Sequence, residues 1–155
     1  MKNGFLLIIL LLAGLFIESC SKSGTLPNIS PISFTANDSS VSFPVGKVYI
    51  EDVLNLQTTA LIGQYADTSN NPGNISIRVL SDTTGRFSGD SLLVTYTNNY
   101  GTVFTNFIDS SSYMKIDKFP KTPNGTVTGS FSVTVVNGND TLKLSKGIFT
   151  AVYQN

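Results

Sequence analysis

Apolar and polar residues alternate along most of the chain after residue 33, which is the pattern of β-strands with one buried face. In the clearest stretch, Val127–Val135, the odd positions hold apolar residues or glycine and the even positions hold Ser or Thr. Turn-forming residues follow at 137–140, and the alternation resumes at Leu142 and Leu144. The segment from Val127 to Leu144 is therefore predicted to be a β-hairpin whose Phe131 side faces the core.

Shorter segments with the same alternation lie upstream, at Ile75–Val79, Leu92–Tyr96 and Met114–Asp117. Stretches rich in Gly, Pro, Asn, Asp and Ser separate them, at 69–73, 84–85, 88–90, 98–101 and 123–125. Strands at this spacing, with no helical stretch between them, predict a single all-β domain over residues 34–155, built as an antiparallel β-sandwich or barrel.

One segment, Ile50–Tyr65, fits two interpretations. Its apolar residues match a helical stripe almost as well as a strand. Thr58 and Thr59 favour a strand, because β-branched side chains suit a pleated surface.

The amino terminus has the organisation of a secretory signal peptide. Lys2 precedes an apolar run of thirteen residues, Phe5–Ile17, which is followed by Glu18, Ser19 and Cys20. Thirteen residues at about 1.5 Å each fall short of a hydrocarbon core of about 30 Å, so the run is not a membrane span. Residues 1–19 are therefore predicted to be removed on export.

The four residues ending at Cys20 resemble the lipobox that lipoprotein signal peptidase cuts, although Glu18 stands where a small residue is usual. The resemblance implies a lipidated Cys20, followed by a flexible tether that ends at residue 33. The alternative is an ordinary cleaved signal beside an unpaired thiol. Ser21 resembles the outer-membrane sorting pattern, and the absence of an acidic cluster after Cys20 favours a domain that faces the periplasm.

Composition excludes several classes of function. The chain has 10 Lys plus Arg, 10 Asp plus Glu and no histidine, and its net charge is zero. A neutral chain lacks the basic surface that nucleic-acid binding requires. Without histidine, the commonest general base and metal ligand are missing, and one cysteine cannot form an intrachain disulfide.

The carboxy-terminal half resembles a family of small uncharacterised lipoproteins from Bacteroidota. The matching residues are Gly129-Ser-Phe131, the turn ending in Asp140-Thr141 and the ending Leu144-Ser-Lys-Gly147-Ile-Phe149. Weaker matches are Thr84-Gly-x-Phe87 and Tyr113-Met-Lys-Ile116, and the resemblance spans most of residues 45–153. The resemblance implies a fold and a location and no activity. Gly147 is expected to mark a bend or bulge in the last strand.

Candidate chemistry is sparse. Glu51 and Asp52 are adjacent carboxylates, but neighbours on a strand point to opposite faces, so they should not converge on one substrate atom. Ser112 and Lys115 match the spacing of a Ser-x-x-Lys pair, but residues three apart on a strand also point to opposite faces. Four carboxylates lie in predicted turns, where Asp commonly caps its own backbone: Asp82, Asp90, Asp109 and Asp140. An aromatic cluster is expected to fill the core and a turn, with a stacking platform for a ligand as the alternative: Tyr96, Tyr100, Phe104 and Phe107.

These patterns predict a non-enzymatic envelope lipoprotein, a binding or structural module for a glycan, a protein or a small apolar ligand. No catalytic residue, metal ligand or cofactor site is expected, and the membrane is contacted only through the lipid on Cys20. The alternative is a carboxylate-based hydrolase of envelope glycans, which requires two carboxylates about 5 to 10 Å apart.

Overall fold

Alternation along the chain produces strands almost throughout. The computed structural model describes residues 32–53, 55–65, 70–107 and 111–154, which contain eleven β-strands and a single 3₁₀ turn at Gly89–Ser91. The strands are β1 (Ile32–Ala36), β2 (Ser39–Phe43), β3 (Val45–Val53), β4 (Leu56–Gln64), β5 (Asn74–Val79), β6 (Gly85–Ser88), β7 (Leu92–Thr97), β8 (Val103–Asn106), β9 (Tyr113–Lys118), β10 (Thr126–Asn137) and β11 (Asp140–Gln154). The predicted all-β class is confirmed.

The strands form one sheet in the order β2-β1-β11-β3-β4-β5-β7-β8-β10-β9-β6. An additional pairing of β10 with β11 closes seven of these strands into a ring: β11, β3, β4, β5, β7, β8 and β10. All pairings in the described residues are antiparallel except that of β3 with β11, which is parallel. The structure is therefore one mixed sheet with a barrel-like ring flanked by further strands, and the parallel pairing of β3 with β11 departs from the wholly antiparallel sheet expected from the sequence.

The two longest strands join the ring to its flanks. One edge of β11 pairs with β1 at residues 144–148 and with β3 at residues 152–154. One edge of β10 pairs in the same way with β9 at residues 128–132 and with β8 at residues 135–136. Strands that pass between partner strands in this manner form the corners of folded sheets, and such corners commonly contain bulges.

A bulge occurs near the expected glycine. Gly147 lies opposite Phe131, and Leu144 lies opposite Val133, so β11 has one extra residue across this interval. Lys146 adopts a positive φ of 54° there. The bulge changes which residues of β11 face inward, because Leu144 is buried before it and Phe149 is buried after it. The bend predicted at Gly147 is confirmed.

The two Gly-x-Phe segments lie opposite each other across β10 and β11. Gly129 pairs with Phe149, and Phe131 pairs with Gly147, so each ring lies against the glycine of the other strand. A Cβ atom on Gly147 would lie 2.6 Å from carbons of the Phe131 ring, and one on Gly129 would lie 2.5 Å from Cζ of Phe149. Both glycines are therefore needed for the rings to pack.

The core lies inside the folded sheet, with Phe34 of β1 among three other aromatic rings. Its centroid is 6.0 Å from that of Phe43, 5.6 Å from Tyr96 and 5.7 Å from Phe131. The alternating residues that the sequence assigned to one buried face are buried, including Ile75, Ile77, Val79, Leu92, Val94, Met114, Ile116, Val127, Val133 and Val135.

Two details differ from the sequence predictions. β1 begins at Ile32, whose side chain is fully buried, so the domain begins two residues before the predicted boundary at 34. Ile50–Tyr65 is extended, as favoured, but it forms parts of two strands, with a turn at Asn55 that has a φ of 65°. Within the described residues, no helix has the length and apolarity needed to span a bilayer.

Candidate functional site

Large aliphatic side chains are exposed on the outer face of the ring. Val53, Leu56, Leu80 and Leu93 are between 40% and 55% exposed. They lie near one end of β3, β4, β5 and β7, because Val53 pairs with Leu56 and Leu93 pairs with Arg78. Isolated exposed aliphatic residues are ordinary, but a group of them at one end of a sheet indicates a contact surface.

A surface cleft of about 430 Å³ opens among these side chains. Its lining consists of Val53, Thr58, Arg78, Leu80, Asp90, Ser91, Leu92, Leu93 and Asn106. The volume falls within the range of about 300 to 1,000 Å³ that is typical of ligand pockets. We refer to this depression as the cleft.

The cleft forms where β8 separates from β7. The backbones of the two strands pair only over Thr95–Thr97, after which Asn106 pairs with β10. The Asn106 side chain bridges the resulting gap: its Oδ1 accepts a hydrogen bond from the Val94 N–H at 3.2 Å, and its Nδ2 donates to the Leu92 carbonyl at 3.1 Å. The amide thus replaces a missing strand partner. The sequence analysis did not identify Asn106, because no local motif marks this role.

Two charged residues, Arg78 and Asp90, line the cleft, and Glu51 is bound to Arg78. Arg78 donates through Nε to Oε2 of Glu51 at 3.1 Å and through Nη1 to Oγ of Ser76 at 2.9 Å. This ion pair neutralises the single cation of the lining. Asp90 is exposed in the 3₁₀ turn, and its carboxylate forms no hydrogen bond or ion pair with other described residues. Of the two charged residues that line the cleft, Arg78 is therefore paired with Glu51, whereas Asp90 has no such partner among the described residues.

Glu51 and Asp52 do not form a catalytic pair. Glu51 lies on the outer face, bound to Arg78, and Asp52 is the next residue of β3, on the opposite face.

The turn carboxylates are dispersed. Asp82 accepts a hydrogen bond from Lys121 at 2.6 Å, and this bond and the charge of Lys121 hold the pKa of the Asp82 carboxyl below its ordinary value. Asp140 begins β11 beside the hairpin turn, and Asp109 lies outside the described residues. Nowhere in the described segments do three Asp, Glu, Cys or His side chains come together as metal ligands.

Ser112 and Lys115 also act separately. The hydroxyl of Ser112 is buried and accepts a hydrogen bond from the Thr134 N–H at 3.0 Å. Nζ of Lys115 lies 2.6 Å from Oδ1 of Asp117, on the exposed side of β9. The hydroxyl and the amine therefore do not form a nucleophile and base.

The aromatic cluster divides between the core and the surface. Tyr96 and Phe104 are buried with their centroids 6.2 Å apart, and burial raises the pKa of the Tyr96 phenol. Tyr100 is 93% exposed at the tip of the β7–β8 turn, and Phe107 is 56% exposed after β8. The core-plus-turn interpretation holds, since these four rings share no single surface.

Cys20, the predicted lipid anchor, lies outside the described residues. No protein-family model, curated protein or solved structure matches the chain.

Proposed function

We propose that this chain is a bacterial envelope lipoprotein, anchored through acyl chains on Cys20, whose β domain is a non-enzymatic binding module. The observation that carries the binding role is the cleft, where Val53, Leu80 and Leu93 expose apolar surface beside a few polar groups. Binding sites commonly combine apolar walls with a small number of polar groups that set orientation.

The anchor rests on the order of features at the amino terminus. A positive charge, an apolar run of thirteen residues and a cysteine three residues after its end are the features typical of exported lipoproteins. The resemblance to small Bacteroidota lipoproteins agrees with this location, and Ser21 favours the outer membrane with the domain in the periplasm. The tether proposed from the sequence runs to residue 33, and β1, which begins at Ile32, includes its last two residues.

The residues that carry that resemblance are also neighbours in the fold. The two Gly-x-Phe segments pair across β10 and β11. The weaker matches pair as well, since Phe87 of β6 lies opposite Met114 of β9. The residues that carry the resemblance can therefore be explained by strand pairing, and this structural role requires no catalytic activity.

A glycan hydrolase is the competing function, and the cleft gives it little support. Hydrolysis by this route uses two carboxylates that face one ligand. Asp90 is the single carboxylate among the described residues that line the cleft, and nearby Glu51 is engaged by Arg78.

The anchor is tested by replacing Cys20 with serine in the producing bacterium. Cys20→Ser should abolish incorporation of a fatty-acid analogue and release the exported protein from the membrane fraction, because the thiol is the site of acylation. Label on the serine variant would show that the anchor is elsewhere.

The binding role is tested on the purified full chain in detergent. We expect no hydrolysis of peptidoglycan or common polysaccharides, and we expect cross-linking in the envelope to capture a partner through the cleft. Leu93→Ser should reduce capture, whereas Val103→Ser, an exposed apolar residue on another part of the ring, should not. Hydrolysis that is lost in Glu51→Gln or Asp90→Asn would establish the hydrolase instead.

A further inference from the structure

The cleft lies at the end of the ring remote from Ile32, the first residue that the structure describes. Ile32, the first described residue, lies within 3.2 Å of the position that a Cβ would occupy on Gly46 at the start of β3. From Gly46, β3 runs seven residues to Val53 at the cleft, which corresponds to about 23 Å at about 3.3 Å per residue. Ile32 therefore lies at the end of β3 opposite the cleft.

The side chains at the cleft restrict the chemistry of its occupant. Its apolar walls, Val53, Leu80 and Leu93, are aliphatic, and no aromatic ring among the lining residues offers a face on which a sugar could stack. Glu51 already neutralises Arg78, while the carboxylate of Asp90 has no partner among the described residues. An uncompensated negative charge beside aliphatic walls suits an apolar group that carries a positive charge.

We propose that the cleft binds a segment of another envelope protein in which a lysine or arginine lies beside aliphatic side chains. The proposal rests on the binding function above and specifies its partner. Asp90 pairs with the basic side chain, and Leu80 and Leu93 contact the aliphatic ones. An anionic lipid surface is disfavoured, because Arg78 is already paired with Glu51 and the carboxylate of Asp90 would repel anionic headgroups.

Blocked hexapeptides test this proposal on the full chain in detergent micelles. The probe contains two leucines, one valine and one lysine, and matched peptides replace the lysine with glutamine or glutamate. Affinity is measured by fluorescence anisotropy, and the contact surface is located by amide chemical-shift changes. We expect the lysine peptide to bind at least tenfold more tightly than the glutamate peptide and to shift residues around Leu80, Asp90 and Leu93.

Variants assign the preference to residues. Asp90→Asn should reduce the lysine-to-glutamate preference below threefold, and Leu93→Ser should weaken binding of all three peptides at least fivefold. Asp140→Asn and Val103→Ser, both exposed and outside the cleft lining, are the matched controls and should change neither quantity. Thermal unfolding is measured for each variant. We expect all of them to be folded, because substitutions at exposed positions change stability little.

Two outcomes would overturn the proposal: equal affinity for the lysine and glutamate peptides, or a preference that survives Asp90→Asn. Displacement of the peptide by glycan oligomers or by vesicles containing phosphatidylglycerol would assign the cleft to that class of ligand instead. If the peptides fail but envelope cross-linking still depends on Leu93, the binding function stands and only this partner chemistry is wrong. If cross-linking is also independent of Leu93, both proposals are wrong.

Discussion

Individual residues in this domain are constrained most strongly where two glycines face two phenylalanines. Gly147 leaves room for the ring of Phe131, and Gly129 leaves room for the ring of Phe149, across one pair of strands. The arrangement protects glycine backbone with an aromatic ring, a known means of stabilising strands that contain glycine. Each Gly-x-Phe segment is thus explained by the other, because the glycine of one leaves room for the phenylalanine ring of the other.

Phe131 and Gly147 should be energetically coupled. Phe131→Ala removes a ring that is 1% exposed and should lower the free energy of unfolding by about 3 to 5 kcal/mol, while Ser132→Ala on the other face should cost under about 0.5 kcal/mol. Gly147→Ala should cost about 1 to 3 kcal/mol, because the new methyl overlaps the ring.

A double-mutant cycle in urea separates the coupling from general damage. In the Phe131→Ala background the ring is absent, so Gly147→Ala should be nearly neutral, within about 0.5 kcal/mol. Additive costs would mean that the ring does not constrain Gly147.

The ion pair of Asp82 and Lys121 should make stability depend on pH. The folded pKa of Asp82 is lowered, first by the hydrogen bond from Lys121. Its contribution is therefore present above the unfolded pKa of about 3.9 and is lost as pH falls through the lower folded value. Asp82→Asn should flatten the acid limb of a stability profile, and Asp38→Asn, a turn carboxylate, is the control.

Because this pair lies at the surface, salt should weaken the effect. An acid limb unchanged by Asp82→Asn at low ionic strength would contradict the assignment.

At the scale of elements, a single side chain compensates for a gap between strands. Asn106 ends β8, turns toward β10 and supplies hydrogen bonds to the β7 backbone on both sides of Leu93. The Val94 N–H and the Leu92 carbonyl thus have hydrogen-bond partners although no strand pairs with them there, as buried backbone groups require.

Asn106→Ala should lower the free energy of unfolding by about 1 to 3 kcal/mol, because the Val94 N–H and the Leu92 carbonyl lose their partner. Asn106→Asp should also be destabilised, since a carboxylate can accept from Val94 but cannot donate to Leu92. Asn137→Ala removes one exposed hydrogen bond to Val103 and should cost under about 1 kcal/mol. Equal losses for Asn106→Ala and Asn137→Ala in chemical unfolding would argue against the bridging role.

At the scale of the whole molecule, the last residues of the chain close the ring. Val152, Tyr153 and Gln154 form the parallel pairing with β3. Tyr153 also exchanges backbone hydrogen bonds with the turn before β10, since Asn124 donates to it and Gly125 accepts from it.

Removing residues 152–155 should therefore destabilise the whole domain by more than about 3 kcal/mol, because a buried aromatic side chain and the closing strand pair are lost together. Gln154→Ala keeps the backbone pairing and should cost under about 0.5 kcal/mol. A truncated chain with an unchanged unfolding midpoint would show that closure contributes little.

The sequence by itself determined the strands with clear alternation, β5, β7, β9 and β10, and the face that each of them buries. Alternation at Ile75, Ile77 and Val79, or along β10, is a local signal with a period of two residues, and it directly marks which side is buried. The hairpin turn at Gly138, which has a positive φ of 57°, and the bulge beside Gly147 were predictable because glycine marks such positions locally in the sequence. The predicted signal peptide and lipobox are likewise a local pattern, and the lipid anchor at Cys20 remains a prediction from it.

Tertiary structure alone decided the order of the strands, the parallel pairing of β3 with β11 and the position of the cleft. Arg78 meets Glu51 across 27 residues of sequence, and Asn106 reaches the backbone of β7 from 12 to 14 residues away. Such contacts depend on which strand edges meet. Many strand orders would bury the same apolar face, so strand order is set by the global packing of the core, which alternation along a single segment does not encode.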